Sequence, residues 1–248
     1  LNYQIIVPLQ RADISQPFDA AHFEVLLRLR DEAGRTVSAS ELLRAAQRYS
    51  LGTRIDKWVV RNTLDWLSRH PERLSTLYLC GVNLSGNSLA DEAFPEFVIQ
   101  QLERSGVAAN KLCFEIMETA AIANLEAATR FMSRLKKMGC QFALDDFGSG
   151  LSSFAYLRTL PVDFLKIDGF FVKNIASDPI DRAMVMAIHE VGRVMGKKTI
   201  AEYADSEAVL AVLRDIGVDY AQGYAVEHPR PLPASHEAGL LGGDRVAS

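Results

Sequence analysis

Short apolar runs alternate along the chain with longer stretches whose apolar residues recur every three or four positions. The runs at 3–8, 23–29, 76–82, 111–117, 141–144, 164–167, 198–201 and 220–222 read as strands. The stretches at 40–49, 54–68, 124–138, 181–195 and 206–216 read as helices. In the first of these, Leu42, Leu43, Ala46 and Tyr49 share a face; in the second, Ile55, Trp58, Val59, Leu64 and Leu67 do. Ser206-Glu207 suits a helix cap and first turn, and Gly52, Gly106, Gly139, Gly196 and Gly217 mark helix ends.

Eight strands with interposed helices and no linker-like break predict an α/β fold, a (β/α)8 barrel. The first pair of strands departs from the pattern. The polar connection between Pro8 and Phe23 holds no clear crossover helix, so these two strands are expected to run antiparallel. The competing architecture is an open doubly wound sheet, but no glycine-rich phosphate loop follows the first strand. The segment after Pro229 is rich in Pro, Gly, Ala and Ser and reads as poorly ordered.

Composition narrows this only a little. The chain has 248 residues, 48% hydrophobic and 23% charged, which excludes a disordered or collagen-like polymer. No apolar run is long enough to span a membrane, and no signal peptide opens the chain. Leu1 in place of Met leads us to expect a piece of a longer protein. Cys80, Cys113 and Cys140 lie in or beside apolar runs without CxxC spacing, as buried thiols of a reducing compartment would. The 27 basic and 31 acidic residues give 27 − 31 = −4, and Lys136-Lys137 and Lys197-Lys198 are the longest basic runs. That argues against a DNA or RNA polymer as partner. A phosphate-bearing ligand would need a metal or a few placed cations.

The strand ends carry the candidate chemistry. They read Val82-Asn83, Phe114-Glu115-Ile116-Met117-Glu118, Leu144-Asp145-Asp146, Leu165-Lys166-Ile167-Asp168, Ala201-Glu202 and Ala221-Gln222-Gly223. In a barrel these ends converge on one mouth, so Asn83, Glu115, Asp145 and Glu202 come together. Glu24, inside an apolar strand, is odd in the same way. Buried acids in such number need a cation, and all-oxygen ligands suit Mg²⁺ or Mn²⁺. His22, His70, His189, His228 and His236 show no ligand spacing. Asp145-Asp146 can serve two metals, an arrangement suited to in-line attack on a phosphodiester. The loop Phe147-Gly148-Ser149-Gly150-Leu151-Ser152-Ser153 reads as a lid or a plain turn. Lys166, flanked by apolar residues, would face the acids, where it could hold or activate a water or balance charge.

Together, Phe23-Glu24-Val25-Leu26-Leu27-Arg28, Asn83-Leu84-Ser85, Glu115-Ile116-Met117-Glu118, Asp145-Asp146-Phe147-Gly148-Ser149-Gly150, Leu165-Lys166-Ile167-Asp168, Ala201-Glu202 and Gln222-Gly223-Tyr224 resemble, in order and spacing, the EAL domain family. Those are bacterial phosphodiesterases specific for cyclic di-GMP. The resemblance covers residues 1–233 and leaves 234–248 as a disordered tail. It implies a modified (β/α)8 TIM barrel with one antiparallel strand, hydrolysing cyclic di-GMP to linear 5′-pGpG with Mg²⁺ or Mn²⁺, two ions per site.

By the same resemblance, Glu24, Asn83, Glu115 and Asp145 match ligands of one metal. Asp145 and Asp146 match those of the second, with Glu202 coordinating or supporting it. Glu24, Lys166 and Glu202 are thus the expected catalytic set, Lys166 positioning or activating the water. Glu118 matches the acid that steadies the loop after Asp145-Asp146, Arg28 a phosphate contact, and Gln4 and Gln222 substrate contacts. The resemblance also implies a cytoplasmic domain, a homodimer, and fusion to upstream sensory or GGDEF domains, any membrane anchor lying outside this sequence. Four positions depart from the family pattern: Ile5 for Pro, Val25 for Ala, Tyr203 for Gly and Asp205 for Glu. None removes a metal ligand or the lysine. A domain that binds cyclic di-GMP without cleaving it is the alternative, as is a different metal-dependent barrel enzyme.

Overall fold

The computed structural model describes residues 1–10, 21–29, 37, 45–46, 48–49, 51–149 and 154–233. Most of the expected helix at 40–49, the end of the loop at 150–153 and the expected tail at 234–248 lie outside these residues.

Eight strands close into a barrel: β1 (Asn2–Pro8), β2 (Ala21–Leu26), β3 (Leu77–Leu84), β4 (Leu112–Met117), β5 (Gln141–Phe147), β6 (Phe164–Ile167), β7 (Lys198–Ala201) and β8 (Tyr220–Ala221). The hydrogen-bonded order runs β2-β3-β4-β5-β6-β7-β8-β1 and back to β2. β1 is antiparallel to both its barrel neighbours, and the other pairings are parallel. The single antiparallel strand is therefore β1, as the missing crossover helix suggests.

A ninth strand, β9 (Arg230–Pro231), pairs with Asn2 and Tyr3 on the edge of β1 that also meets β8. This corrects the expectation of disorder directly after Pro229. Leu232 N–H donates to the Leu1 carbonyl at 3.0 Å, and the Trp66 indole donates to the Pro233 carbonyl at 2.9 Å. Such pinning is invisible in local composition.

The expected helices at 54–68, 124–138, 181–195 and 206–216 form as α1 (Gly52–Arg69), α6 (Leu125–Lys136), α8 (Pro179–Val194) and α9 (Glu207–Ile216). Gly52 opens α1 rather than ending a helix. Between them lie α2 (Pro71–Thr76), α3 (Gly86–Ala90), α4 (Phe94–Ser105), α5 (Glu118–Ala123) and the single turn α7 (Gly169–Val172). Gly106 and Gly217 close α4 and α9 with φ of +70° and +97°, a region where glycine carries no steric penalty. Among the described residues no helix is long and apolar enough to cross a membrane.

The alternation of side chains along each strand sorts the barrel into an outside and an inside. Outward residues such as Val25, Val82, Phe114, Ile116, Leu144, Leu165 and Ala201 join the core shared with the helices. Val25 is one of them, so its larger side chain packs away from the mouth. Inward residues form two tiers. The lower tier is Ile6, Leu79, Cys113, Ala143, Phe164, Ile200 and Tyr220, joined by His22 through ring contacts with Phe164 and Tyr220. Two residues nearer the mouth, the same eight strands present Gln4, Gly81, Glu115, Asp145, Lys166, Glu202, Gln222 and, above His22, Glu24. The fold thus sets a polar tier on an apolar floor.

A candidate active site at the barrel mouth

The centre of the polar tier is the Lys166 ammonium. It lies 2.5 Å from Glu115 Oε2, 2.9 Å from Glu202 Oε1, 3.1 Å from Asp145 Oδ1 and 3.2 Å from Glu24 Oε2. Its side chain is fully buried. A buried lysine normally loses its proton, but here the surrounding carboxylates outweigh burial and hold its pKa well above the usual lysine value. Lys166 is therefore a fixed cation, suited to orienting a water and unsuited to accepting a proton.

The acids divide according to what else they touch. Burial tends to raise Glu24, but the Lys166 charge and hydrogen bonds from Gln222 and Asn83 bring it below the ordinary carboxylate range. Asn83 Nδ2 donates to Glu24 Oε1 at 2.5 Å, and Gln222 Nε2 donates to Glu24 Oε2 at 2.8 Å. Glu115 lacks those helpers, and burial together with the Glu24 charge pushes it well up. Glu202 is pushed up to about 8 by burial and by Asp145 and Glu24. Asp146 is pushed up to about 6 by burial and by its neighbours Asp145 and Asp168.

Asp145, Asp146 and Glu202 each offer a carboxylate oxygen within 4.8 Å of the others. Asp145 Oδ1 is buried and makes no hydrogen bond, although the Lys166 ammonium is 3.1 Å away. Five acids against one ammonium leave net negative charge. The donor set is all oxygen, so it fits a hard divalent cation and not a thiophilic one. Glu24, held by Asn83, and Glu115 contact the same Lys166 ammonium as Asp145 and Glu202.

Backbone shape serves the same cluster. The β5–β6 register breaks between Leu144 and Phe147, and Asp146 takes φ +52°, a left-handed conformation uncommon for a non-glycine residue. Tyr203, directly after Glu202, takes the same φ of +52°. That explains glycine as the commoner residue there, and tyrosine in this shape costs roughly 1–2 kcal/mol. Its ring lies 4.2 Å from the Lys173 ammonium. Asp205, one methylene shorter than the usual Glu, still accepts the Tyr224 N–H at 3.0 Å.

The remaining expected residues fall as follows. Gln4, Glu24, Arg28, Asp145, Asp146, Glu202 and Gln222 line one cleft, together with Tyr203, Asp205 and Tyr224. Glu115 and Lys166 lie beneath it, and Asn83 is at the rim. Gln4 and Gln222 are buried and engaged within the protein: Gln222 donates to Gln4 Oε1 at 3.2 Å, and Gln4 donates to the Glu227 carbonyl at 2.9 Å. Arg28 is exposed. Glu118 is buried and accepts the Gly148 N–H at 3.0 Å, while its other oxygen accepts the Tyr156 hydroxyl. Tyr156 has no signal in the sequence, since its partner is 38 residues away.

Fold and mouth together define a class: a barrel with a polar, acid-rich mouth of oxygen donors around a buried lysine. Comparison with known proteins supplies the family. The EAL domain profile matches residues 13–229, and the chain belongs to the EAL domain family. The cyclic di-GMP phosphodiesterase PdeB of Shewanella oneidensis is 44% identical over 209 residues, 84% of this chain and 24% of PdeB. The cyclic di-GMP phosphodiesterase PdeF of Escherichia coli K12 is 34% identical over 85% of this chain and 28% of its own length. The chain thus spans about a quarter of these curated relatives. Among solved structures, the Pseudomonas aeruginosa FimX EAL domain bound to c-di-GMP superposes with a TM-score of 0.84 at 30% identity, covering 93% of this chain and 90% of that one.

Proposed function

We propose that this domain hydrolyses cyclic di-GMP to linear 5′-pGpG, using Mg²⁺ or Mn²⁺. The observation that carries the reading is the Asp145-Asp146-Glu202 cluster beside the buried Lys166 ammonium, in a chain of the EAL family. The relatives named cyclic di-GMP phosphodiesterases and the FimX complex with c-di-GMP support the substrate.

Residue roles follow from the chemistry. Asp145, Asp146 and Glu202 would hold one cation, and Glu24, Asn83, Glu115 and Asp145 a second. Bound there, a divalent cation would lower the pKa of a water and offset phosphate charge. Lys166, permanently charged, donates a hydrogen bond that aims a water lone pair at phosphorus. Because its pKa is pushed up to about 8, Glu202 must release a proton to hold a cation near neutral pH. Arg28, exposed at the cleft edge, suits a phosphate oxygen, while Gln4 and Gln222 brace Glu24 and face the cleft that would take the substrate. Water adds to one phosphorus as its bond to the ribose 3′ oxygen breaks, leaving a 5′-phosphate and a 3′-hydroxyl. Glu118 and Tyr156 steady the backbone at Gly148, next to the acids.

The proposal extends to a cytoplasmic, homodimeric domain joined to sensory or GGDEF partners, which rests on family resemblance alone. The test is turnover of cyclic di-GMP by the parent and by Glu24→Ala, compared at equal foldedness. The proposal expects a roughly hundredfold or greater loss of turnover, since a cation ligand and its Asn83 bond go together. Residual activity near the parent's would contradict the role of Glu24.

A further inference from the structure

Asp56 is a buried acid outside the mouth, used by none of the chemistry above. Asp56 is in the second turn of α1 and is 7% exposed. It is not the helix cap, and Lys57 beside it pairs instead with Asp91 at 3.0 Å. A single oxygen of Asp56 accepts three hydrogen bonds. They come from Ser85 N–H at 2.8 Å, Ser85 Oγ at 2.7 Å and the fully buried Ser88 Oγ at 2.6 Å. Burial disfavours the charged form of Asp56 and these donors favour it.

The receiving segment is the end of β3. Ser85 follows Asn83 by two residues and is the N-cap position of α3, with its side chain turned to Asp56 rather than to the helix. Gly52 of α1 packs so closely that a Cβ there would meet Ser85 Oγ at 2.9 Å. The strand end is thus pinned by α1. Asn83, whose side chain reaches Glu24 at 2.5 Å, leaves the strand just before that pin.

We propose that Asp56 is a positioning residue for Asn83: through Ser85 and Ser88 it fixes the end of β3, and so sets the Asn83 side chain against Glu24 at the cation-binding side of the mouth. The inference deepens the proposed function and rests on its assignment of Asn83 as a metal ligand.

Two measurements on the whole chain test it. In metal-free, ¹⁵N-labelled protein, the Asn83 side-chain amide should show a hydrogen-bonded proton shift in the parent and move to the solvent-exposed position in Asp56→Ala. Calorimetric titration with Mn²⁺ should show about tenfold weaker binding in Asp56→Ala, as for loss of other outer supports of metal ligands. Asp56→Asn keeps an acceptor oxygen at the same place and should restore binding to within a few-fold of the parent. Leu213→Ala, in α9, provides a variant with general loss of stability away from β3. Unchanged Asn83 amide and Mn²⁺ binding in Asp56→Ala would overturn the proposal, as would an equal loss in Leu213→Ala. Should Asp56→Ala fail to fold, Ser85→Ala and Ser88→Ala combined must move the Asn83 amide in the same direction, or the proposal fails. A parent that binds no Mn²⁺ refutes the metal reading of the mouth, and the amide shift then decides the role of Asp56 by itself.

Discussion

Lys166 and Asp146 show how far single residues depart from their behaviour in water. Lys166 contacts four carboxylates with no exposed surface, so removing its charge leaves those acids facing one another. Breaking a buried ion pair from one side costs about 3–5 kcal/mol. Lys166→Met should therefore lower the melting temperature of the metal-free protein, and millimolar Mg²⁺ should restore part of the loss. Thermal melts with and without Mg²⁺ measure both; an unchanged melting temperature would contradict this electrostatic picture. Asp146 is pushed up to about 6 because burial, Asp145 and Asp168 all disfavour its charge. Above pH 6 it is ionised and free to bind a cation. Below pH 6 a proton must first leave. Mn²⁺ affinity should then fall as pH drops below 8, where Glu202 holds a proton, and more steeply below 6, where Asp146 does too, by up to about tenfold per unit for each proton, as calorimetry between pH 5 and about 9 can read.

At the scale of elements, the mouth depends on strand ends held by neighbours distant in sequence. Gly223 follows Gln222 with its Cα so close to Ala204 that a Cβ would lie 2.3 Å from the Ala204 nitrogen. That atom is backbone and cannot swing away. Gly223→Ala should cost about 2–3 kcal/mol by overpacking and displace Gln222 from Glu24, as denaturant unfolding and the stability of the folded variant would show. Tyr156→Phe removes one of the two bonds to Glu118 and leaves the Gly148 bond intact. Amide exchange at Gly148 should quicken without global loss of protection; unaltered exchange would discount the hydroxyl. These contacts also mark the limit of what sequence alone reveals. Acids ending apolar runs, as at Asp145 and Glu202, stand out because charge breaks a hydrophobic pattern. Asp56 and Tyr156 do not, since their partners lie 29 to 38 residues away. The short helices α2, α3 and α5 are below the length at which helix propensity acts unaided, so tertiary packing decides them. α4 did carry a readable stripe, Phe94, Val98 and Leu102, all buried. β9 is two residues long and exists only through β1.

Across the whole molecule, charge and architecture correct one another. The net charge of −4 argues against a nucleic-acid polymer as partner. Part of that acidity is gathered in one tier of the barrel, where cations would reverse its sign for an anionic dinucleotide. The antiparallel β1 was legible from a missing crossover, because chain connectivity leaves a trace in sequence. The two-tier interior was legible only in part: the period-two pattern placed acids near strand ends, but which acids meet around Lys166 depends on the stagger of eight strands. The central claim is that this mouth cleaves one phosphodiester bond of cyclic di-GMP by attack of water. It is tested most directly by incubating the chain with cyclic di-GMP and Mg²⁺ or Mn²⁺ in ¹⁸O-labelled water, followed by mass spectrometry. The account predicts linear pGpG carrying one ¹⁸O in its 5′-phosphate, and no product when the metal is chelated. Cyclic di-GMP that stays bound and intact with both metals would contradict it.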